Sequence, residues 1–119
     1  MTSESQLQAE IFRALGSRPG VRLFRNNTAG AWGGIIISRT PDSITLRNPF
    51  PIHAGLFNGS ADIIGWATRH GRAIFTSIEV KSPTGAIRPE QITWRDNVLK
   101  AGGIAGIVRS VEEAEGLLQ

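Results

Sequence analysis

The stretch Asp62-Ile63-Ile64-Gly65-Trp66-Ala67-Thr68-Arg69-His70-Gly71-Arg72-Ala73-Ile74-Phe75-Thr76-Ser77-Ile78-Glu79-Val80-Lys81 decides the fold. Two apolar runs, Asp62 to Ala67 and Arg72 to Val80, flank His70-Gly71, and such an X-Gly pair is a hairpin signal. Histidine tolerates the positive φ of such a turn better than most residues. With His70 and Gly71 as the turn, Arg69 pairs with Arg72, and the ladder ends with Asp62 opposite Glu79. Directly opposed residues share a face, with Cβ atoms ~4.5–5.5 Å apart. Lys81 lies two residues past Glu79 and shares that face, while Ile74, Ile78 and Val80, interrupted by Thr76, point into a core. Register alone thus gathers two carboxylates and a lysine at one end of a sheet, and a slip of one residue would scatter them.

Outward from this hairpin, the punctuation predicts an α/β chain. A helix is expected from Glu4 to Leu15, capped by Ser3 or Ser5, stopped by Gly16, with Leu7, Ile11, Ala14 and Leu15 as its apolar stripe. Val21 to Arg25 reads as a short strand. Ile35 to Arg39 and Ser43 to Arg47 read as a hairpin across Thr40-Pro41-Asp42. Asn48 to Gly59 reads as a long loop, the place to look for substrate choice. A second helix is expected from Pro89 to about Ala101, ended by Gly102-Gly103, then a strand over Ile104 to Val108. Ser110 and Glu113 form a capping box for a last helix. The order α-β-β-β-β-β-α-β-α describes a mixed sheet flanked by helices.

The composition narrows the function. The chain has 119 residues, 40% of them hydrophobic and 19% charged, which suits one folded domain over residues 1–119 and excludes a disordered chain. No apolar run approaches the ~20 residues of a membrane helix, and Met1 to Gln6 has neither a basic start nor an apolar stretch, so no signal peptide is expected. Without cysteine there is no disulfide framework and no thiolate zinc site, which fits a reducing cytoplasm. The net charge is +3, built from 11 Arg and 2 Lys against 10 acids. Arginine is the side chain best suited to bidentate phosphate contact, so nucleic acid is the first partner to consider, beside the alternative that the Arg:Lys ratio follows genome composition.

Two carboxylates this close repel unless a cation neutralises them, and Mg²⁺ takes one or two carboxylates plus waters and substrate phosphate. Lys81 is a point charge able to hold an attacking water or the negative charge developing at phosphorus. The plainer alternative for Glu79-Val80-Lys81 is a surface ion pair. Arg25-Asn26-Asn27-Thr28, followed by Gly30 and Gly33-Gly34, suits phosphate contact, or else is a polar turn with permissive glycines. Trp32, Trp66 and Trp94 read as core or interface residues, and His53 and His70 lack metal-ligand spacing. No GxGxxG, Walker A or GxSxG motif is present, which excludes the common nucleotide-cofactor and serine-nucleophile classes.

The series Gly59-x-x-Asp62, Ile78-Glu79-Val80-Lys81 and Pro89-Glu90-Gln91 resembles the PD-(D/E)XK nuclease superfamily, and within it the small VRR-NUC (virus-type replication-repair nuclease) domains. The resemblance also covers a Glu-bearing first helix and the Arg-Asn-Asn segment. It departs at Ala61, where the superfamily's name has proline. The resemblance implies a restriction-endonuclease-like fold and a Mg²⁺- or Mn²⁺-dependent endonuclease acting on DNA. Asp62 and Glu79 would bind metal with the Val80 carbonyl, Lys81 would be the catalytic lysine, Glu10 would contact the metal's waters, and Gln91 would support the site. Glu10 has a second reading as a solvated helix charge, and Gln91 as a first-turn cap. Arg25, Asn26, Asn27, Arg88 and Arg95 would grip the nucleic acid. The family analogy further implies a homodimer on branched DNA such as a Holliday junction, serving repair, recombination or phage replication. Two other classes remain open: a non-catalytic nucleic-acid-binding module of the same fold, and a small α/β interaction protein whose Glu79 and Lys81 are a surface pair.

Overall fold

The computed structural model describes residues 3–27, 30–53 and 55–119. Its elements run α1 (Glu4–Gly16), β1 (Val21–Arg25), β2 (Gly30–Arg39), β3 (Ile44–His53), β4 (Ile63–Arg69), β5 (Arg72–Val80), α2 (Pro89–Lys100), β6 (Ile104–Val108) and α3 (Val111–Leu117). This is the mixed α/β order expected from the sequence. Among the described residues no helix is long and apolar enough to cross a membrane.

The strands divide into two sheets. The body is a four-stranded sheet ordered β1-β4-β5-β6, antiparallel except for the β5–β6 pair. The β4–β5 register is the one set by the mirror turn: Arg69 pairs with Arg72 and Ile63 with Ile78. His70 (φ 52°) and Gly71 (φ 74°) both take the left-handed conformation this turn requires. Ile63, Ile78 and Val80 from this sheet meet Leu7, Ile11 and Leu15 of α1 and Ala114 of α3, forming a fully buried core on one face. On the other face α2 covers β5 and β6, where the Trp94 indole donates to Ser77 Oγ at 2.7 Å. Beyond α2 that face stays bare, and Phe24, Trp66 and Phe75 are exposed on it. Ser3 caps α1 in a reciprocal box with Gln6. Ser110 caps α3, but the Glu113 carboxylate reaches past it to the Arg109 amide at 2.8 Å, so the expected box is displaced by one residue.

β2 and β3 stand apart as a second, two-stranded sheet, an arm that corrects the expectation of one sheet and, over residues 48–53, of a loop. Each strand has ten residues, twice the length expected. β3 contains Pro49 and Pro51, residues that a central strand does not accommodate. Two residues apart, they fall on the same side of the ladder, away from β2, where a missing N–H costs no pairing bond. A bulge beside Asn48 (φ 50°) and another near Ile37 twist the arm. The arm extends the molecule to 52 × 34 × 30 Å and to a radius of gyration of 17.0 Å, against ~13.5 Å for a compact chain of this length.

Gly65 is fixed by close approach: a Cβ there would sit 1.9 Å from the Arg22 carbonyl oxygen of β1. Gly65→Ala is expected to cost about 3 kcal/mol or more by prising β1 from β4. Urea unfolding curves checked against the wild type measure this loss.

Candidate active site at the end of the β4–β5 hairpin

The body sheet ends at one edge in Asp62, Glu79 and Lys81. Asp62 Oδ2 accepts a hydrogen bond from the Val80 amide at 3.1 Å, which ties the last residue before β4 across to the end of β5. In an extended strand a residue's N–H and C=O face the same side, so the Val80 carbonyl also opens toward Asp62. Glu79 is 6% exposed and Lys81 9% exposed. Among the described residues no carboxylate lies within ion-pair distance of the Lys81 ammonium, so the surface-pair reading of Glu79 and Lys81 does not describe them. The Lys81 backbone is held by its amide, which donates to Val108 O at 2.9 Å.

Gln91 links the start of α2 to Glu79. Its Oε1 accepts from the Arg88 amide at 2.9 Å, capping α2, and its Nε2 donates to Glu79 Oε2 at 3.0 Å. The helix is brought to this position by Gly59 (φ 92°), where a Cβ would meet the Glu90 backbone at 2.8 Å. The site is therefore walled by α2 only because residue 59 has no side chain.

Glu10 is exposed and borders a depression with Leu7, Pro83 and Arg109. The acid that reaches the chain beyond Lys81 is Glu4, whose Oε2 accepts from the Ser82 amide at 3.3 Å. The signal for Glu4 was present in the sequence: Leu7, Ile11 and Leu15 form the buried stripe of α1, and one turn back along it stands Glu4. Arg109 was also missed. Its guanidinium donates to the Ser82 carbonyl, so both polar groups of that peptide are held. Among the described residues no three His, Asp or Glu side chains converge as a metal cluster, and the acidic set is the Asp62–Glu79 pair.

The residues expected to grip nucleic acid sort differently. Arg25 pairs with Ile63, next to Asp62, and its guanidinium stacks over the Phe12 ring at 5.6 Å. Arg88 and Arg95 form exposed ion pairs with Glu90 (3.5 Å) and Asp96 (3.0 Å). Asn27 is exposed. Asn26 is not available for phosphate: it is buried, its Nδ2 donates to Ser60 Oγ and Ala61 O, both at 2.8 Å, and its Oδ1 accepts from the Leu56 amide at 3.2 Å. With its amide donating to Asp62 O at 2.8 Å, Asn26 knots the two ends of the arm excursion to the catalytic-side strand.

Burial, and then the Asp62 carboxylate beside it, push the Glu79 carboxyl up from 4.5 to about 8, against the pull of the Lys81 ammonium. The folded chain then holds a proton that the unfolded chain has released. The metal-free fold is fully relieved of this charge below about 4.5 and loses stability as pH climbs to about 8. Glu79→Gln is expected to raise the melting temperature by a few degrees at pH 8 and to leave it nearly unchanged at pH 4.5, read by calorimetry in EDTA. Asn26→Ala is expected to cost about 2 kcal/mol, because it strips the partner from two buried groups, Ser60 Oγ and Ala61 O, and from the half-buried Leu56 amide. Chemical denaturation checks it.

The sequence model of the VRR-NUC domain matches residues 52–112, just over half of the chain, from the end of β3 through the first residues of α3. The matched stretch contains Asp62, Glu79, Lys81 and Gln91, and leaves α1, β1 and almost all of the arm ahead of it. No curated protein matches the chain. The match and the geometry at the hairpin's end agree: the chain belongs to the VRR-NUC domain family, a nuclease family.

Proposed function

We propose that the protein is a Mg²⁺- or Mn²⁺-dependent DNA endonuclease that hydrolyses phosphodiester bonds, working as a homodimer on branched DNA. The observation that carries this reading is the Glu79 carboxyl, buried at the end of β5 beside Asp62, whose Oδ2 accepts from the Val80 amide at 3.1 Å. A pair of carboxylates kept this close, with a backbone carbonyl beside them, is a donor set for a hard divalent cation. Asp62, Glu79 and the Val80 carbonyl would hold it. When bound, such an ion supplies Lewis acidity at the scissile phosphate and a more acidic water.

The chain's own groups do the rest. Gln91 donates to one oxygen of Glu79 and so fixes which way the carboxylate faces. Lys81 presents a buried ammonium on the same face, with no ion-pair partner among the described residues, where it holds the attacking water or the negative charge that develops at phosphorus. Arg25, Asn27, Arg88 and Arg95 surround this end and contact phosphates. The ion pairs of Arg88 and Arg95 are exposed and cost little to exchange for a phosphate. A two-fold axis would bring two such sites to two strands.

The test incubates plasmid DNA and a synthetic four-way junction with Mg²⁺, Mn²⁺ or EDTA, for wild type and Lys81→Ala. Cleavage should require metal and fall about 10²–10³-fold in Lys81→Ala. Preference for the junction supports the branched-DNA reading, and equal cutting of plasmid corrects it to a general endonuclease. Binding without cleavage in either metal overturns the enzyme in favour of a binding module.

A further inference from the structure

Two elements, α1 and β6, converge on the backbone that carries Lys81 out of β5. The Lys81 amide donates to Val108 O at 2.9 Å. At the next residue the Ser82 amide donates to Glu4 Oε2 of α1 at 3.3 Å. The Ser82 carbonyl accepts twice. One donor is the Gly85 amide at 3.1 Å, which closes a turn over Ser82-Pro83-Thr84-Gly85, and the other is the Arg109 guanidinium. Val80 pairs with Val108, so Arg109 stands one residue past the ladder, level with Lys81. Arg109 is anchored in turn by its own amide, which donates to Glu113 Oε1 at 2.8 Å.

The guanidinium is half-buried, and among the described residues it has no carboxylate within ion-pair distance. A charge-assisted bond, stronger than a neutral one, is thus directed at a single carbonyl beside Lys81. The lysine needs such a stay. Its stem is long and flexible, and its buried ammonium likewise has no carboxylate within ion-pair distance to hold it. What aims the ammonium is the direction in which the side chain leaves the backbone. We propose that Arg109 is a positioning residue for Lys81: by fixing the Ser82 carbonyl it keeps the ammonium on the Asp62–Glu79 face. The proposal rests on the endonuclease reading above and adds to it a residue that acts through another. Joining α3 to the body does not require this bond, because Ser110 caps α3 and the Glu113 carboxylate ties it to the end of β6.

The chain has only two lysines, Lys81 and Lys100, so each can be followed by itself. Reductive methylation with ¹³C-formaldehyde in EDTA, without DNA, reads them by NMR and mass spectrometry. In the wild type Lys81 should react at least 10-fold more slowly than exposed Lys100. Arg109→Met keeps the apolar stem and removes the donor. It should bring Lys81 to within about threefold of Lys100 while leaving the circular dichroism unchanged. In the cleavage assay Arg109→Met should lower kcat about 10–10²-fold and change KM for DNA less than twofold. It should slow Lys81→Ala no further, because the two act as one unit. Arg109→Lys, which keeps a charged donor, should recover most of the rate. A wild-type Lys81 as reactive as Lys100 overturns the proposal without any variant. So does an Arg109→Met chain whose Lys81 stays protected, or one that slows wild type and Lys81→Ala by the same factor. Each of these results leaves the endonuclease reading intact. A wild type that cuts no DNA in either metal overturns that reading, and the methylation contrast then upholds or overturns the positioning by itself.

Discussion

One constraint governs this molecule: the two-residue turn at His70 and Gly71. Its mirror geometry sets the β4–β5 ladder, and because side chains alternate, that ladder decides every face at once. The same choice sends Ile63, Ile78 and Val80 into the core and leaves Asp62 facing Glu79 at the far end. Stability and chemistry are therefore not separate achievements here. A chain that buried its isoleucines in another register would lose its carboxylate pair as well.

The site stores an electrostatic conflict. Glu79 and Asp62 are held together by strands, by the bond from the Val80 amide to Asp62, and by Gln91 on α2, none of which relieves their repulsion. Lys81 helps, but burial outweighs it, and Glu79 answers by keeping its proton. Such a pair is poised for a partner of opposite charge and is costly without one. That α2 should sit so close, when its only entry to the site is past a glycine at residue 59, shows how much of the wall depends on one missing Cβ.

Much of this was legible in the sequence, and the failures are instructive. The hairpin at His70-Gly71, the cap of α1 at Ser3 and the β-branched run at Ile104 are local signals, and these were read correctly. The arm was read at half its length: Gly30, Gly33 and Gly34 in β2 and Pro49 and Pro51 in β3 are poor strand formers when the number of neighbouring strands is unknown. In a two-stranded sheet half the N–H groups face outward, and Pro49 and Pro51 use that freedom. Glu10 came from the family pattern; Glu4, to which the buried stripe of α1 leads back, was not among the candidates. Asn26 was read as a phosphate contact, since an Asn before glycines looks exposed. Its burial depends on Leu56, Ser60 and Ala61, some thirty residues away, and sequence order gives no hint of such a meeting.

That meeting has a consequence for how such a chain changes over time. Because Asn26 clasps both ends of the excursion, the segment between them leaves and re-enters the body at nearly one point. Whatever lies between can be lengthened, shortened or exchanged without rethreading the four-stranded sheet. The carboxylate end of the body and the arm are thus carried on separately replaceable pieces of one chain, and selection can rework the second while the first stands still.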